Sequence, residues 1–275
     1  MGRVTIVLVI LSSWTAGAGD WWAKETPTNS GPESASAPLS EEVEAVLQKI
    51  QQATKDLRHY QCGIDYVLRQ PLLESETRRT GMVYYLRKPT GSRLRVNFET
   101  LQQDDQQRQR YAEQFFFDGV WLTHVDYQVK AVKKRQMAEP NRPVDAFDLA
   151  SRDLPIVGFT GTEDLRRDFD MQVVPPRSGQ PSERIVTLSL EARPGSLYGK
   201  DYRTIVFDVD RTLWLPARVK AESTDGDIYD VSFVQAKVNQ PLEEAVFDLK
   251  IPKDFGDPEI IPLEASEETH SKHVP

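Results

Sequence analysis

Apolar and polar residues alternate with a period of two over much of this chain, and no other feature limits the fold as strongly. Short alternating runs lie at 82–87, 94–98, 186–190, 205–209 and 229–233. Successive side chains of a strand point to opposite faces, so each run predicts a half-buried strand. Because only brief polar turns separate many of the runs, the pattern favours an antiparallel meander over parallel βαβ units.

One amphipathic helix precedes the strands. Ser40 is a good N-cap, and the glutamates that follow it suit the positive end of the helix dipole. The helix is predicted to end near Arg58. Its apolar residues recur at helical spacing and predict one buried face: Val43, Val46, Leu47, Ile50, Ala53 and Leu57.

The two ends of the chain differ in composition from the middle. Residues 1–18 combine Arg3, an apolar run at 4–11 and small residues up to Ala18, which predicts a cleaved signal peptide. An uncleaved anchor is the alternative. Residues 19–38 predict a flexible tether, and residues 263–275 predict a disordered tail. One domain, residues 39–262, remains between them, and its length does not require two domains.

Charge and motifs exclude several functions. A net charge of -8 argues against nucleic-acid binding and against docking on anionic lipid. None of the four histidines has a catalytic context, and no P-loop, HExxH or EF-hand spacing occurs, so we predict no enzyme, no cofactor and no metal. Five aspartates lie on polar strand positions or in turns and predict a solvated face: Asp208, Asp210, Asp225, Asp227 and Asp230.

The strongest local signal is a hairpin at Asp118 and Gly119. This dipeptide between apolar runs predicts a two-residue type I′ turn. Both faces of the hairpin are apolar, so both must be covered. Either it is an ordinary buried strand pair, or one face lines a cavity for an apolar ligand. The predicted register pairs Phe117 with Val120, Phe116 with Trp121, and Phe115 with Leu122.

Two further segments complete the pattern. Residues 143–170 are apolar, interrupted by proline and partly helical, which is typical of a plug on one side of a sheet. The closing segment, residues 211–262, contains two strands around Asp225 and Gly226. A short strand from Val246 to Ile251 then ends at Pro252.

This order of parts resembles the LolA/LolB-like periplasmic carriers of outer-membrane lipoproteins, as a divergent member. The resemblance covers most of residues 39–262. It rests on the long first helix, Leu86-Arg87-Lys88-Pro89, the aromatic-flanked Asp118-Gly119 hairpin, the plug and the Phe247-to-Pro252 ending. It implies an α+β fold that is mainly antiparallel β. The sheet would be a half-open, incomplete β-barrel of about ten to eleven strands, covered by the N-terminal helix and the helical plug.

The resemblance also implies a function and a site. The chain would be a monomeric periplasmic carrier that holds lipoprotein acyl chains or another lipid, with membrane-bound donor and acceptor proteins as partners. In the family an arginine latches the lid, and Lys88 occupies that position here, beside Arg87. The alternative is an interaction or envelope-stress sensor module of the same fold. The expected cavity wall is Phe98, Phe116, Trp121, Val125 and Phe207, and the expected lid is Leu154, Ile156, Val157 and Phe159.

Overall fold

A computed structural model describes residues 40–89, 91–146, 162–175, 183–193, 195–196 and 198–263. The predicted signal peptide, the tether and the four lid residues lie outside these ranges. Of the predicted tail, only Leu263 lies within them.

The described residues form one sheet of twelve strands. In chain order they are β1 His59–Gln70, β2 Ser75–Lys88, β3 Gly91–Gln103, β4 Gln109–Phe117, β5 Trp121–Asp126, β6 Ala131–Gln136, β7 Phe169–Val174, β8 Ile185–Ala192, β9 Tyr202–Asp210, β10 Leu215–Ser223, β11 Ile228–Val238 and β12 Glu259–Ile261.

The strand order is β12-β6-β5-β4-β3-β2-β1-β11-β10-β9-β8-β7, and the sheet does not close on itself. Neighbouring strands are antiparallel except β12 and β6, which run parallel. The predicted mainly antiparallel, half-open α+β fold is confirmed.

Helix α1, Glu41–Asp56, confirms the amphipathic helix predicted before the strands. The Ser40 hydroxyl accepts a hydrogen bond from the backbone N–H of Val43, and the glutamates Glu41, Glu42 and Glu44 occupy the first turn. The helix buries Val43, Val46, Leu47 and Ile50 against the sheet. Its apolar spacing and its cap therefore determine both its position and its start.

The sheet has two faces with different roles. We call the face beneath α1 the core face. It carries the main apolar cluster, including Tyr66 of β1, Tyr85 of β2, Phe98 of β3 and Phe207 of β9. We call the other side the opposite face. There Asp65 pairs with Arg78 and Arg218 pairs with Asp230, so ion pairs between strands replace the apolar contacts.

The Asp118-Gly119 hairpin has a different register from the one predicted. Phe117 pairs with Leu122, and Phe116 pairs with Thr123. The Asp118 carboxylate accepts hydrogen bonds from the N–H groups of Val120 and Trp121, and Gly119 adopts a φ of +101°. The aspartate side chain thus stabilises a turn longer than the type I′ form, because it satisfies two backbone donors that strand pairing would otherwise use.

The predicted strand from Val246 to Ile251 is wrong. Residues Glu244–Phe247 form a short 3₁₀ helix instead. In this closing part of the chain the next strand is β12. Residues 243–261, which we call the strap, cross the opposite face. Arg95 of β3 donates hydrogen bonds to the carbonyl oxygens of Val246 and Asp248, which are therefore not available to a neighbouring strand.

Candidate functional site on the core face

A row of aromatic rings crosses the core face. The ring centroids of Tyr66 and Phe98 are 6.4 Å apart, and those of Phe98 and Phe115 are 6.5 Å apart in an edge-to-face arrangement. The Phe115 ring stacks on the imidazole of His124 at 4.4 Å. These rings come from β1, β3, β4 and β5, so the row exists only because the meander brings those strands together.

The five residues of the expected cavity wall lie on two faces. Phe98 and Phe207 belong to the core cluster. Phe116 pairs with Arg95 and Thr123, and Val125 pairs with Gln114, which places both on the opposite face with Trp121. The prediction of one continuous wall is therefore corrected: two members lie on the core face, and the other three lie on the side that the strap crosses.

A buried group of ionisable residues adjoins the aromatic row. The Glu113 carboxylate contacts Nε2 of His124 at 2.8 Å and Nη1 of Arg79 at 3.0 Å. Glu113 is 4% exposed and His124 is 5% exposed. The carboxylate lies between two nitrogen groups, as a buried charge requires.

Sequence reasoning missed this group. Glu113 shares a strand face with Phe115 and Phe117, and His124 shares a strand face with Leu122. A charged residue on the apolar phase of a strand was the available signal. The predicted hairpin register hid it, because that register pairs Phe115 with Leu122 instead of His124.

The expected latch residue, Lys88, contacts the strap. Its Nζ forms an ion pair with Glu244 at 2.5 Å. The neighbouring Arg87 makes the contacts with the covering elements: it donates to the carbonyl oxygens of Thr54 and Lys55 at the end of α1, and its Nε lies 3.3 Å from the Asp145 carboxylate. Arginine suits this position, because its planar group can donate to several acceptors at once.

Polar contacts anchor both ends of the expected plug. At its start, the Val144 N–H donates to the Gly119 carbonyl and the Ala146 N–H donates to the Ser92 hydroxyl. Near its end, Arg166 in the short helix α2, Thr162–Asp168, pairs with Glu44 at 2.6 Å. Asp145 and Arg166 thus connect to opposite ends of α1, a helix about 24 Å long.

Three of the five aspartates expected on a solvated face are buried. Asp208 accepts a hydrogen bond from Thr187, and Asp230 pairs with Arg218. Burial alone would raise the pKa of Asp210, but hydrogen bonds from the N–H groups of Thr212 and Leu213 and from Arg184 outweigh it and lower that pKa. Neighbouring strands supply the donors of Asp208 and Asp230, whereas two donors of Asp210 come from the turn that follows β9. The alternation pattern reveals neither arrangement. Asp225 is exposed and Asp227 is half-buried, close to the prediction.

Within the described ranges, no group of three or more His, Cys, Asp or Glu residues could hold a metal ion. Neither α1 nor α2 is long and apolar enough to cross a bilayer. A cleft of about 540 Å³ opens between the end of β3 and the start of β4, with Glu99, Arg108 and Arg110 in its lining. The cleft adjoins the aromatic row at Phe98, which belongs to both.

Comparisons with known proteins were made for the whole chain. No protein-family model and no curated protein matches it. Among solved structures, an uncharacterized conserved protein from Thermus thermophilus is 12% identical with a TM-score of 0.45, over 81% of this chain and 100% of that one. A LolA superfamily protein from Nitrosomonas europaea is 11% identical with a TM-score of 0.33, over 75% of this chain and 97% of that one.

A third similar structure is the complex of Pseudomonas aeruginosa MucA and MucB, with 15% identity and a TM-score of 0.42, over 76% of this chain and 61% of that one. The similar structures thus include one named for the family that the sequence resembles.

Proposed function

We propose that this chain binds an acyl chain, from a lipoprotein or another lipid, against the core face and carries it through the periplasm toward the outer membrane. The supporting observation is the extended apolar cluster of the core face, which lies beneath α1 on a sheet that does not close. Phe98 and Phe207 are the proposed contact residues. Burying an acyl chain contributes about 0.8 kcal/mol per CH₂ group, so an apolar surface of this kind is sufficient for binding.

The attachment of the covering elements supports the same function. Arg87 links the end of α1 to Asp145, and Arg166 links the start of α1 to α2. These are side-chain contacts, so they can break without separating any pair of strands. We propose that Leu154, Ile156, Val157 and Phe159 face the ligand as a lid between these two anchors.

The periplasmic location follows from the signal peptide predicted at residues 1–18. Its test is direct: the N-terminal residue of the protein recovered from the periplasm should follow residue 18. Recovery of the full-length chain from the membrane fraction would instead support the uncleaved anchor.

The first test of the function is the lipid content of the protein purified from its native host. Mass spectrometry should detect a bound lipid, and delipidated protein should bind a fluorescent fatty-acid probe. A protein that is lipid-free and also fails to bind the probe would contradict the proposal.

A pair of tryptophan substitutions tests which face binds. Leu94 is a partly buried residue packed against the core cluster, and Val234 is 47% exposed on the opposite face. Leu94→Trp should fill space on the core face beside its strand partners Tyr85 and Phe117 and weaken probe binding, whereas Val234→Trp should leave it unchanged. Equal effects of the two variants would argue against a binding site on the core face.

A second candidate function is an interaction or sensor module that binds a partner protein. The observation that favours it lies at the tip of the β1–β2 hairpin, where Leu72 is 85% exposed and Leu73 is 69% exposed. A stable complex that survives Leu94→Trp and disappears in a Leu72→Asp, Leu73→Asp double variant would favour this function over carriage.

A further inference from the structure

Tyrosine hydroxyls are buried in the apolar core face. Tyr66 of β1, Tyr202 of β9 and Tyr229 of β11 all belong to the core cluster. Tyr202 is 2% exposed, and its hydroxyl has no hydrogen-bond partner within the described residues. A buried hydroxyl without a partner is unfavourable and calls for an explanation.

The Tyr202 hydroxyl is a neutral donor at any ordinary pH. Burial raises its pKa, and the nearby Tyr229, Asp201, Tyr66 and Tyr198 raise it further. Burial likewise raises the pKa of Tyr229 to about 12. The group therefore keeps its proton and can donate it to an acceptor.

Six polar side chains of the core face lie along one diagonal of the sheet, which we call the polar band: Tyr202, Tyr229, Tyr66, Arg79, Glu113 and His124. Tyr66 and Arg79 are direct partners in the β1–β2 register. Across the sheet from β9 to β5, the line drops by about one residue per strand. Strands in a barrel tilt by ~35–45°, which produces about this stagger, so the band lies at one height of the half-barrel.

The chemistry of the band selects the ligand group. The Glu113 carboxylate is engaged by Arg79 and by His124. What the band offers in addition is the neutral O–H of Tyr202 within an apolar surface. The complementary group is an uncharged acceptor attached to an apolar chain.

Resting on the proposed function, we propose that the polar band is the subsite for the linkage of an acylated ligand: the carbonyl oxygen of an acyl ester or amide accepts a hydrogen bond from Tyr202. The acyl chain then extends over the apolar surface that includes Phe207, which lies farther along β9. A chain without this carbonyl leaves the hydroxyl unsatisfied and binds more weakly.

The test compares two ligands and two variants. Delipidated wild type, Tyr202→Phe and Tyr84→Phe are titrated with methyl laurate and with an n-alkane of matched length, by displacement of N-phenyl-1-naphthylamine. Tyr84→Phe is the control, because it removes the same hydroxyl from a tyrosine on the opposite face. Tyr202→Phe should bind the ester about three- to tenfold more weakly and the alkane unchanged, while Tyr84→Phe should match wild type.

Thermal unfolding of the ligand-free proteins tests whether the hydroxyl has a purely structural role. Because Tyr202→Phe removes an unsatisfied donor, its Tm should equal or exceed that of wild type. A lower Tm, or an equal loss of affinity for ester and alkane, would overturn the subsite.

The outcomes separate the two proposals. Wild type that binds neither ligand contradicts the proposed function and the subsite together. Wild type that binds both, with Tyr202→Phe indistinguishable from it, contradicts the subsite alone. A diacylated lipopeptide and a diacylglycerol, titrated in turn, distinguish the two sources of the ester; dependence on Tyr202 for either supports the subsite, and dependence for neither overturns it.

Discussion

The two faces of the sheet are covered by different chemistry. On the core face, α1 packs Val43, Val46, Leu47 and Ile50 into an apolar cluster. On the opposite face, the strap buries only Phe247, and exposed ion pairs contribute to its attachment: Lys88 pairs with Glu244, and Lys130 with Asp254. Apolar burial is nearly insensitive to salt, whereas exposed ion pairs are screened by it. The core face should therefore determine global stability, and the opposite face should respond to conditions locally.

The largest expected effect is the loss of apolar packing beneath α1. Leu47 is 1% exposed, and Leu47→Ala should lower the free energy of unfolding by ~2–5 kcal/mol, measured by urea denaturation. Leu72→Ala, the same change at an 85% exposed position, is the matched control and should have almost no effect. Similar losses of unfolding free energy in the two variants would contradict the packing of α1 in the core.

The next largest effect is a difference in stability between substitutions of two neighbouring cationic residues at the end of β2. Arg87→Ala removes hydrogen bonds to Thr54, Lys55, Tyr85 and Asp145, and should destabilise the protein by ~1–3 kcal/mol. Lys88→Ala removes an exposed ion pair to the strap and should change global stability little. The reverse order would mean that the strap, and not α1, stabilises this end of the sheet.

A smaller and local effect is expected from Arg95, which donates to two strap carbonyls. Arg95→Gln should speed amide hydrogen exchange in residues 244–261 and leave β1 and β11 unchanged. Val234→Gln, at an exposed position on the same face, is the control. Faster exchange throughout the sheet would show that the strap is not a separate unit.

The smallest effect is the pH dependence of the strap. Hydrogen bonds from Lys88 and Lys130 lower the pKa values of Glu244 and Asp254. Carboxyls with a lowered pKa stabilise the folded state above their ordinary range, and this contribution is lost as the pH falls through the folded-state value. Proteolysis within the strap should therefore accelerate only below the ordinary range of free carboxyls, which lies near pH 4. Acceleration near neutral pH would contradict this assignment.

Local sequence patterns predicted the helices and strands better than the pairing between them. Ser40 and the apolar spacing after it were sufficient for α1, because cap and helix lie within a few residues of each other. The register of the hairpin was not predictable from the Asp-Gly dipeptide, since the Asp118 carboxylate stabilises a longer turn. Alternation also assigned Asp208 and Asp230 to a solvated face, yet their donors, Thr187 and Arg218, come from neighbouring strands.

The same limit applies to the candidate site. Phe98 and Phe207 reach the core face as expected, but Phe116 and Val125 do not, because the faces of neighbouring strands depend on pairing. The polar band could not be assembled from the sequence at all. Its members come from six different strands, and their stagger exists only once the sheet has formed.

The parallel pairing of β12 with β6 has a consequence for the order of synthesis. Glu259–Ile261 covers the outer edge of β6, an edge that could otherwise accept a strand from another molecule. Translation produces β12 more than a hundred residues after the strand that it covers. Until those last residues are available, the edge of β6 lacks its cover and can pair with a strand of another chain.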